Sequence, residues 1–126
     1  MNKEIINTNN APAPIGPYNQ AVKVDSLLFL SGQVALIPGT NDLANKDISE
    51  ETHQVMQNLK NVLAEAGMDF SNVVKTTILL SDMELFSTVN EIYARYFTGN
   101  FPARETYAVK GLPKNANLEI SMIAAE

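Results

Sequence analysis

The chain contains no cysteine and only one histidine, and these absences narrow the chemistry open to it. Without cysteine there is no disulfide framework, no thiolate nucleophile and no zinc–thiolate site. A single histidine, His53, excludes sites built from several histidines and leaves little scope for a nucleophile–histidine triad. Gly16 and Gly32 stand alone rather than in a phosphate-binding loop. The remaining chemistry belongs to arginine, carboxylates, tyrosine, hydroxyls and backbone amides.

Length and charge limit the class of protein further. The 126 residues predict one domain, spanning 1–126, that is large enough to bury a hydrophobic core. Nine basic against fourteen acidic residues give a net charge of −5, which disfavours nucleic acid as a partner. There is no apolar run of membrane-spanning length, and the opening residues MNKEIINTNN lack a signal-peptide core, so we expect a cytoplasmic protein with no membrane partner.

The order of predicted elements indicates an α+β fold. Short strands are predicted at 3–6, 21–24 and 27–35, and a helix follows, with Ser49 as its N-cap and Gly67 as its stop. After them we predict a strand at 73–80, a helix capped by Asp82 that carries an aromatic stripe and ends at Gly99, and strands at 103–109 and 117–125. This order predicts a single mixed β-sheet with two helices packed on one face.

Such an architecture leaves the second face of the sheet uncovered. Val73, Leu79 and Ile123 are predicted to lie on that face, beside the polar side chains of Lys75 and Thr77. An open face that is half apolar is better buried than wet, so the sequence predicts self-association.

Two strands offer candidate site residues. In FPARETYAV, residues 101–109, Arg104 and Thr106 alternate with Tyr107, which we assign to the packed face. The planar fork of arginine matches a carboxylate with two parallel hydrogen bonds. In NLEISMIAA, Glu119 is expected on the face turned away from the helices, on a strand next to that of Arg104.

The N-terminal third adds weaker candidates. Tyr18 ends a proline-rich segment, and Ser31 and Gly32 lie within the third strand. For each of these residues alone, packing or a solvated surface is the usual role. Together with Arg104 and Glu119 they predict a carboxylate-binding site with a carboxylate able to activate water.

The chain resembles the Rid family, the YjgF-like reactive-intermediate deaminases, along almost its whole length. The segments that carry the resemblance, in chain order, are APAPIGPYNQAV, LFLSGQVAL, SNVVKTTILLSDM, VNEIYARYF, FPARETYAV and LEISMIA. The resemblance implies a chorismate-mutase-like fold and a homotrimer with sites between subunits. It also implies a cytoplasmic enzyme of amino-acid metabolism, without metal or cofactor, that hydrolyses 2-aminoacrylate and 2-iminobutyrate to 2-keto acids and ammonia.

The same resemblance implies roles for individual residues. Arg104 would clamp the substrate carboxylate, and Glu119 would position and activate water. The residues implied to line or hold the pocket are Tyr18, Ser31, Gly32, Asn90 and Thr106. At Thr106 this sequence departs from the family, which commonly has cysteine there. Burial would raise the pKa of Glu119 and a nearby Arg104 would lower it, and the sequence leaves open which effect is larger.

Two other functions remain open at this point. A trimer that senses 2-keto acids or other small carboxylates without turnover would need Arg104 but would have no use for Glu119. A ribonuclease, translation inhibitor or chaperone-like protein ranks a distant third, because the acidic charge and the single histidine disfavour RNA cleavage.

Overall fold

The computed structural model describes all 126 residues and contains one six-stranded sheet with two α-helices. The elements in chain order are β1 Lys3–Ile6, β2 Ala21–Val24, β3 Leu27–Gln33, α1 Ile48–Glu65, β4 Val73–Leu80, α2 Phe86–Ala94, β5 Ala103–Ala108 and β6 Leu118–Ala125. The strand order across the sheet is β1-β2-β3-β6-β4-β5, and only β4 and β5 are parallel. The predicted α+β architecture, a mixed sheet with two helices, is confirmed.

The core lies between the helices and one face of the sheet. Alternate residues of β6, from Leu118 to Ala124, are buried, as period-two alternation requires. They meet the apolar stripe of α1, whose buried members include Val55, Leu59 and Val62. None of the helices is both long enough and apolar enough to cross a membrane.

Both helices differ in detail from the prediction. The N-cap of α1 is Asp47, whose carboxylate accepts from the Glu50 N–H at 2.8 Å, so the assignment of Ser49 was wrong by two residues. The second helix ends at Ala94, well before Gly99, and Asp82 caps a separate 3-10 turn that precedes it. The last aromatics of the predicted stripe, Tyr96 and Phe97, therefore follow the helix instead of belonging to it.

A register shift at the start of β4 reverses one predicted face. Against β6, the pairing slips between Val73 and Lys75. Val73, which we assign from the sequence to the uncovered face, consequently points into the core, whereas Val74 is 48% exposed. One inserted residue moves the side chains of the preceding residues of the strand to the opposite face of the sheet.

The face of the sheet turned away from the helices is uncovered, as predicted. It carries the exposed side chains of Phe29 and Tyr107 beside Leu79 and Ile123. The assignment of Tyr107 to a packed face was wrong for the single chain, where the side chain is 52% exposed.

Candidate functional site

Arg104 lies on β5, the edge strand, and its side chain is held on the helix side of the sheet. Its register partner on β4 is the buried Thr76. Nη1 donates to Asn90 Oδ1 of α2 at 2.7 Å, and the guanidinium carbon lies 5.5 Å from the ring centroid of Phe86 and 5.3 Å from that of Tyr93. The two rings lie at cation–π distance and orient the guanidinium plane without occupying the N–H groups that pair with a carboxylate.

The rest of the guanidinium is free to bind an anion. No carboxylate of the chain lies within ion-pair distance of Arg104, and Asn90 is its one hydrogen-bond partner. Beside it is a cleft of about 380 Å³. The residues that line this cleft are Asn90, Tyr93, Ala94, Phe101, Pro102 and Arg104. An arginine without a carboxylate partner, with most of its N–H groups free, can bind a small carboxylate in a small, half-apolar cleft.

Thr106 follows Arg104 on the same face of β5, opposite Ile78. Its hydroxyl oxygen is closed to solvent, and it is the one buried side-chain polar atom of the chain without a hydrogen-bond partner. We call Asn90, Arg104 and Thr106 the arginine cluster.

Glu119 lies on β6 and faces away from the helices, as predicted. Its register partner on β4 is Leu79, and its carboxylate is partly buried against the backbone of Gly32 on β3. A Cβ at Gly32 would lie 2.6 Å from Glu119 Oε2, so only glycine leaves room for this carboxylate. Burial raises the pKa of Glu119 above its ordinary value, and no cation opposes it. The sequence left open whether burial or Arg104 has the larger effect on the pKa of Glu119, and within one chain burial has the larger effect.

Ser31 precedes Gly32 on β3, and one hydrogen bond joins it to the segment that carries Tyr18. Ser31 Oγ donates to the Asn19 carbonyl at 2.6 Å, which ties the segment that carries Tyr18 to β3 beside Gly32. The Tyr18 ring is 48% exposed. We call Tyr18, Ser31, Gly32 and Glu119 the glutamate cluster.

Gln20 organises that segment, and the sequence analysis missed it. Its buried amide donates to the carbonyls of Thr8, Ala11 and Pro12 at 3.0, 3.3 and 2.8 Å and accepts from the Thr8 N–H at 2.6 Å. A glutamine directly before a strand and after a proline-rich segment was the available signal, because such a segment lacks backbone partners of its own.

The two clusters do not meet within one chain. Arg104 is in register with Thr76 and Glu119 with Leu79, three residues apart along β4, so their side chains point to opposite faces of the sheet. The expectation that their strands are neighbours was wrong, because β4 lies between β5 and β6. Two strand spacings of about 4.8 Å also separate the backbones.

The other titratable residues form no comparable site. There is no group of three or more His, Asp or Glu side chains placed to hold a metal ion. His53 lies exposed on α1 with Nδ1 2.6 Å from the Tyr96 hydroxyl.

Comparisons with known proteins find relatives that match almost the whole chain and solved structures with the same fold. The family model described as Endoribonuclease L-PSP matches residues 8–126. A mouse protein, 2-iminobutanoate/2-iminopropanoate deaminase, is 50% identical over 98% of the chain and 92% of its own length. Reactive Intermediate Deaminase A, chloroplastic, from Arabidopsis thaliana is 49% identical over 98% of the chain, which spans 66% of that relative.

A solved structure has the same fold. A Yersinia pestis protein of unknown function, described as belonging to the conserved Rid protein family, superposes with a TM-score of 0.96 at 46% identity. The alignment covers 99% of this chain and 100% of that one.

Proposed function

The chain belongs to the Rid family, and from this membership we propose that it is a hydrolytic deaminase of short-lived imines and enamines. Its substrates are 2-iminobutyrate and 2-aminoacrylate, and its products are 2-keto acids and ammonia. The observation that carries the proposal is 50% identity, over nearly the full length of both chains, to the mouse 2-iminobutanoate/2-iminopropanoate deaminase. Arg104, which forms no ion pair within the chain and donates only to Asn90, supplies the carboxylate clamp that both substrates need.

The working form is a homotrimer, and one site takes its residues from two subunits. The arginine and glutamate clusters lie on opposite faces of one sheet, so a complete site needs the arginine cluster of one copy beside the glutamate cluster of another. The uncovered face, with Phe29 and Tyr107, supplies apolar surface for such an assembly. Sedimentation equilibrium should return three times the chain mass of 13.8 kDa. A stable monomer would contradict the shared site.

The proposed chemistry uses orientation and one base. Arg104 binds the substrate carboxylate, which places the electrophilic C=N carbon toward Glu119 of the other subunit. Starting from the protonated imine, Glu119 takes a proton from water as the water oxygen bonds to that carbon and the C=N π electrons move to nitrogen, which gives a carbinolamine. Glu119 returns the proton to nitrogen, the C–N bond breaks as the hydroxyl oxygen forms the C=O bond, and the hydroxyl proton leaves with ammonia as ammonium. Burial raises the pKa of Glu119 within one chain, which favours a basic carboxylate, and Arg104 of the other subunit opposes this shift at the proposed site. An enamine first takes a proton on carbon to become the imine.

Glu119 also separates the enzyme from a sensor of 2-keto acids. A passive carboxylate site gains nothing from a second carboxylate whose charge repels the ligand. The net charge of −5 disfavours the RNA substrate that the family model's description suggests. We keep the cytoplasm as the proposed compartment, and fractionation of cells would test it.

The decisive experiment is a coupled assay. A dehydratase generates 2-iminobutyrate from threonine, and keto-acid release is timed with and without this protein. We expect release to accelerate in proportion to the protein added. Binding of 2-ketobutyrate by calorimetry without any acceleration would replace the enzyme with the sensor.

A further inference from the structure

A buried hydroxyl pair lies directly behind Arg104. The Tyr93 hydroxyl, on α2, donates to Thr76 Oγ1, on β4, at 2.9 Å. Both residues are buried, with 3% and 0% of their surface exposed, so this bond is shielded from water. Thr76 is also the register partner of Arg104 on β5, and the Tyr93 ring lies 5.3 Å from the guanidinium carbon. These contacts join α2, β4 and β5 around the Arg104 side chain.

We propose that the Tyr93–Thr76 hydroxyl pair is a positioning device that fixes the plane of the Arg104 guanidinium for its carboxylate ligand. This inference rests on the proposed function, because it concerns how the same arginine binds its substrate. Thr76 does not line the cleft, and Tyr93 presents its ring there while its hydroxyl is turned to Thr76. Their effect passes through the tilt of the Tyr93 ring, which covers one face of the guanidinium.

The physical reason is that Asn90 alone cannot hold a planar group in orientation. Asn90 accepts one hydrogen bond from Nη1 and leaves rotation about that contact free. The rings of Phe86 and Tyr93 restrict this rotation only if they are themselves fixed. The Phe97 ring, 4.9 Å from that of Tyr93, supports one side, and Thr76 holds the far end. Burial raises the pKa of Tyr93, so its hydroxyl remains a donor at neutral pH.

Two substitutions at Thr76 separate orientation from packing. Thr76→Val keeps the shape and removes the hydroxyl, whereas Thr76→Ser keeps the hydroxyl and removes a buried methyl group. Thr52→Val is the matched control, because Thr52 is equally buried but its hydroxyl donates to the Ile48 carbonyl within α1. Tyr93→Phe removes the donor and keeps the ring, and it serves as the second variant if Thr76→Val does not fold.

The first measurement needs no ligand. The chain has two arginines, so the side-chain Nε–Hε signals in a ¹⁵N spectrum are those of Arg95 and Arg104 alone. Arg95 pairs with Glu91 on the surface and provides the internal reference. We expect the order parameter of Arg104 Nε to fall in Thr76→Val and in Tyr93→Phe, while that of Arg95 stays constant. Thr52→Val should leave both signals at parental values.

The second measurement is the affinity for 2-ketobutyrate by calorimetry. We expect Thr76→Val and Tyr93→Phe to bind about three- to tenfold more weakly, the range that one lost hydrogen bond gives. Thr76→Ser should recover most of that affinity even though it lowers thermal stability. The double variant should bind no more weakly than either single one, since both remove the same bond.

Each outcome decides the inference. Rigid Arg104 and parental affinity in Thr76→Val and Tyr93→Phe would overturn it. Equal losses of affinity in Thr76→Ser and Thr76→Val would also overturn it, because the effect would then follow packing rather than the hydroxyl. If the parental protein fails to accelerate imine hydrolysis, the proposed function fails, yet the mobility of Arg104 still tests the positioning role.

Discussion

The arginine cluster and the glutamate cluster are built in different ways. Arg104 contacts Asn90, Phe86 and Tyr93 of α2 within its own chain, and these contacts orient the guanidinium without giving it a carboxylate partner. Glu119 is partly buried against Gly32 and makes no hydrogen bond or ion pair within the chain. The first cluster thus has its orientation set within one chain, whereas the second holds a carboxylate whose pKa burial has raised. A base gains from such a setting, and a binding group gains from fixed orientation.

The largest expected effect breaks the glutamate cluster alone. Glu119→Gln is nearly isosteric, but an amide cannot take a proton from water. Turnover of 2-iminobutyrate should fall about 10²–10⁴-fold, the usual contribution of a general base. Affinity for 2-ketobutyrate should survive or increase, because a negative charge near the ligand has been removed. The coupled assay and calorimetry measure the two quantities, and turnover at the parental rate would exclude Glu119 as the base.

The complementary change breaks the arginine cluster. Arg104→Lys keeps the charge but replaces a planar fork with a point charge. Affinity for 2-ketobutyrate should fall roughly ten- to a hundredfold, which corresponds to about 1.5–3 kcal/mol for a charge-assisted hydrogen bond. Arg95→Lys is the control, since Arg95 lies on the surface with Glu91. Normal kinetics for the lysine variant at 104 would make Arg104 a surface residue.

A third change moves the carboxylate without removing it. In Gly32→Ala the new Cβ would lie 2.6 Å from Glu119 Oε2, so the carboxylate must shift. We expect turnover to fall roughly tenfold, as misplacement of a reacting group does, with little change in affinity for the keto acid. Gly111→Ala is the matched control, because nothing lies within 4 Å of its added Cβ. Equal activity of the two variants would mean that the position of Glu119 does not limit the rate.

The pH dependence sharpens the comparison further. Glu119 accepts a proton only when it is ionised, so kcat/KM should fall as the pH drops through its pKa. Burial raises this pKa within one chain, and Arg104 of the other subunit would lower it at the proposed site, so the pH at which the loss begins measures which effect is larger. The stability of the fold has the opposite pH dependence. A carboxyl pKa that folding raises makes the fold more stable at low pH, and this stability is lost as the pH rises and the group ionises. The profile of Glu119→Gln, corrected for spontaneous hydrolysis, should lack the acidic limb.

The smallest expected effect concerns stability in the arginine cluster. Thr106→Val removes the one buried hydroxyl that has no partner, and it should stabilise the protein by about 1 kcal/mol. Thermal unfolding would measure this, with Thr106→Ser as the control that keeps the hydroxyl. A lower Tm for the valine variant would show that the hydroxyl is bonded in the assembled protein.

Much of the fold followed from local patterns in the sequence. The alternation of Leu118 and Ile120 with Glu119 correctly placed that carboxylate on the open face, because side-chain direction within a strand has a period of two. The strands at 3–6, 21–24 and 73–80 were predicted from β-branched residues and neighbouring turn residues, and the helical stripe through Val55 and Leu59 was predicted from its helical spacing. The family followed from the order of its segments.

The tertiary structure decided how these elements meet. The sequence placed Arg104 and Glu119 on strands but could not show that β4 separates them, since strand order depends on contacts between distant residues. It could not place the slip after Val73 either, because a bulge is defined by its partner strand. The bond from Tyr93 to Thr76 and the closeness of Gly32 to Glu119 likewise join residues far apart in the chain. Periodicity along a strand fixes which way a side chain points, whereas only the packed sheet fixes what it faces.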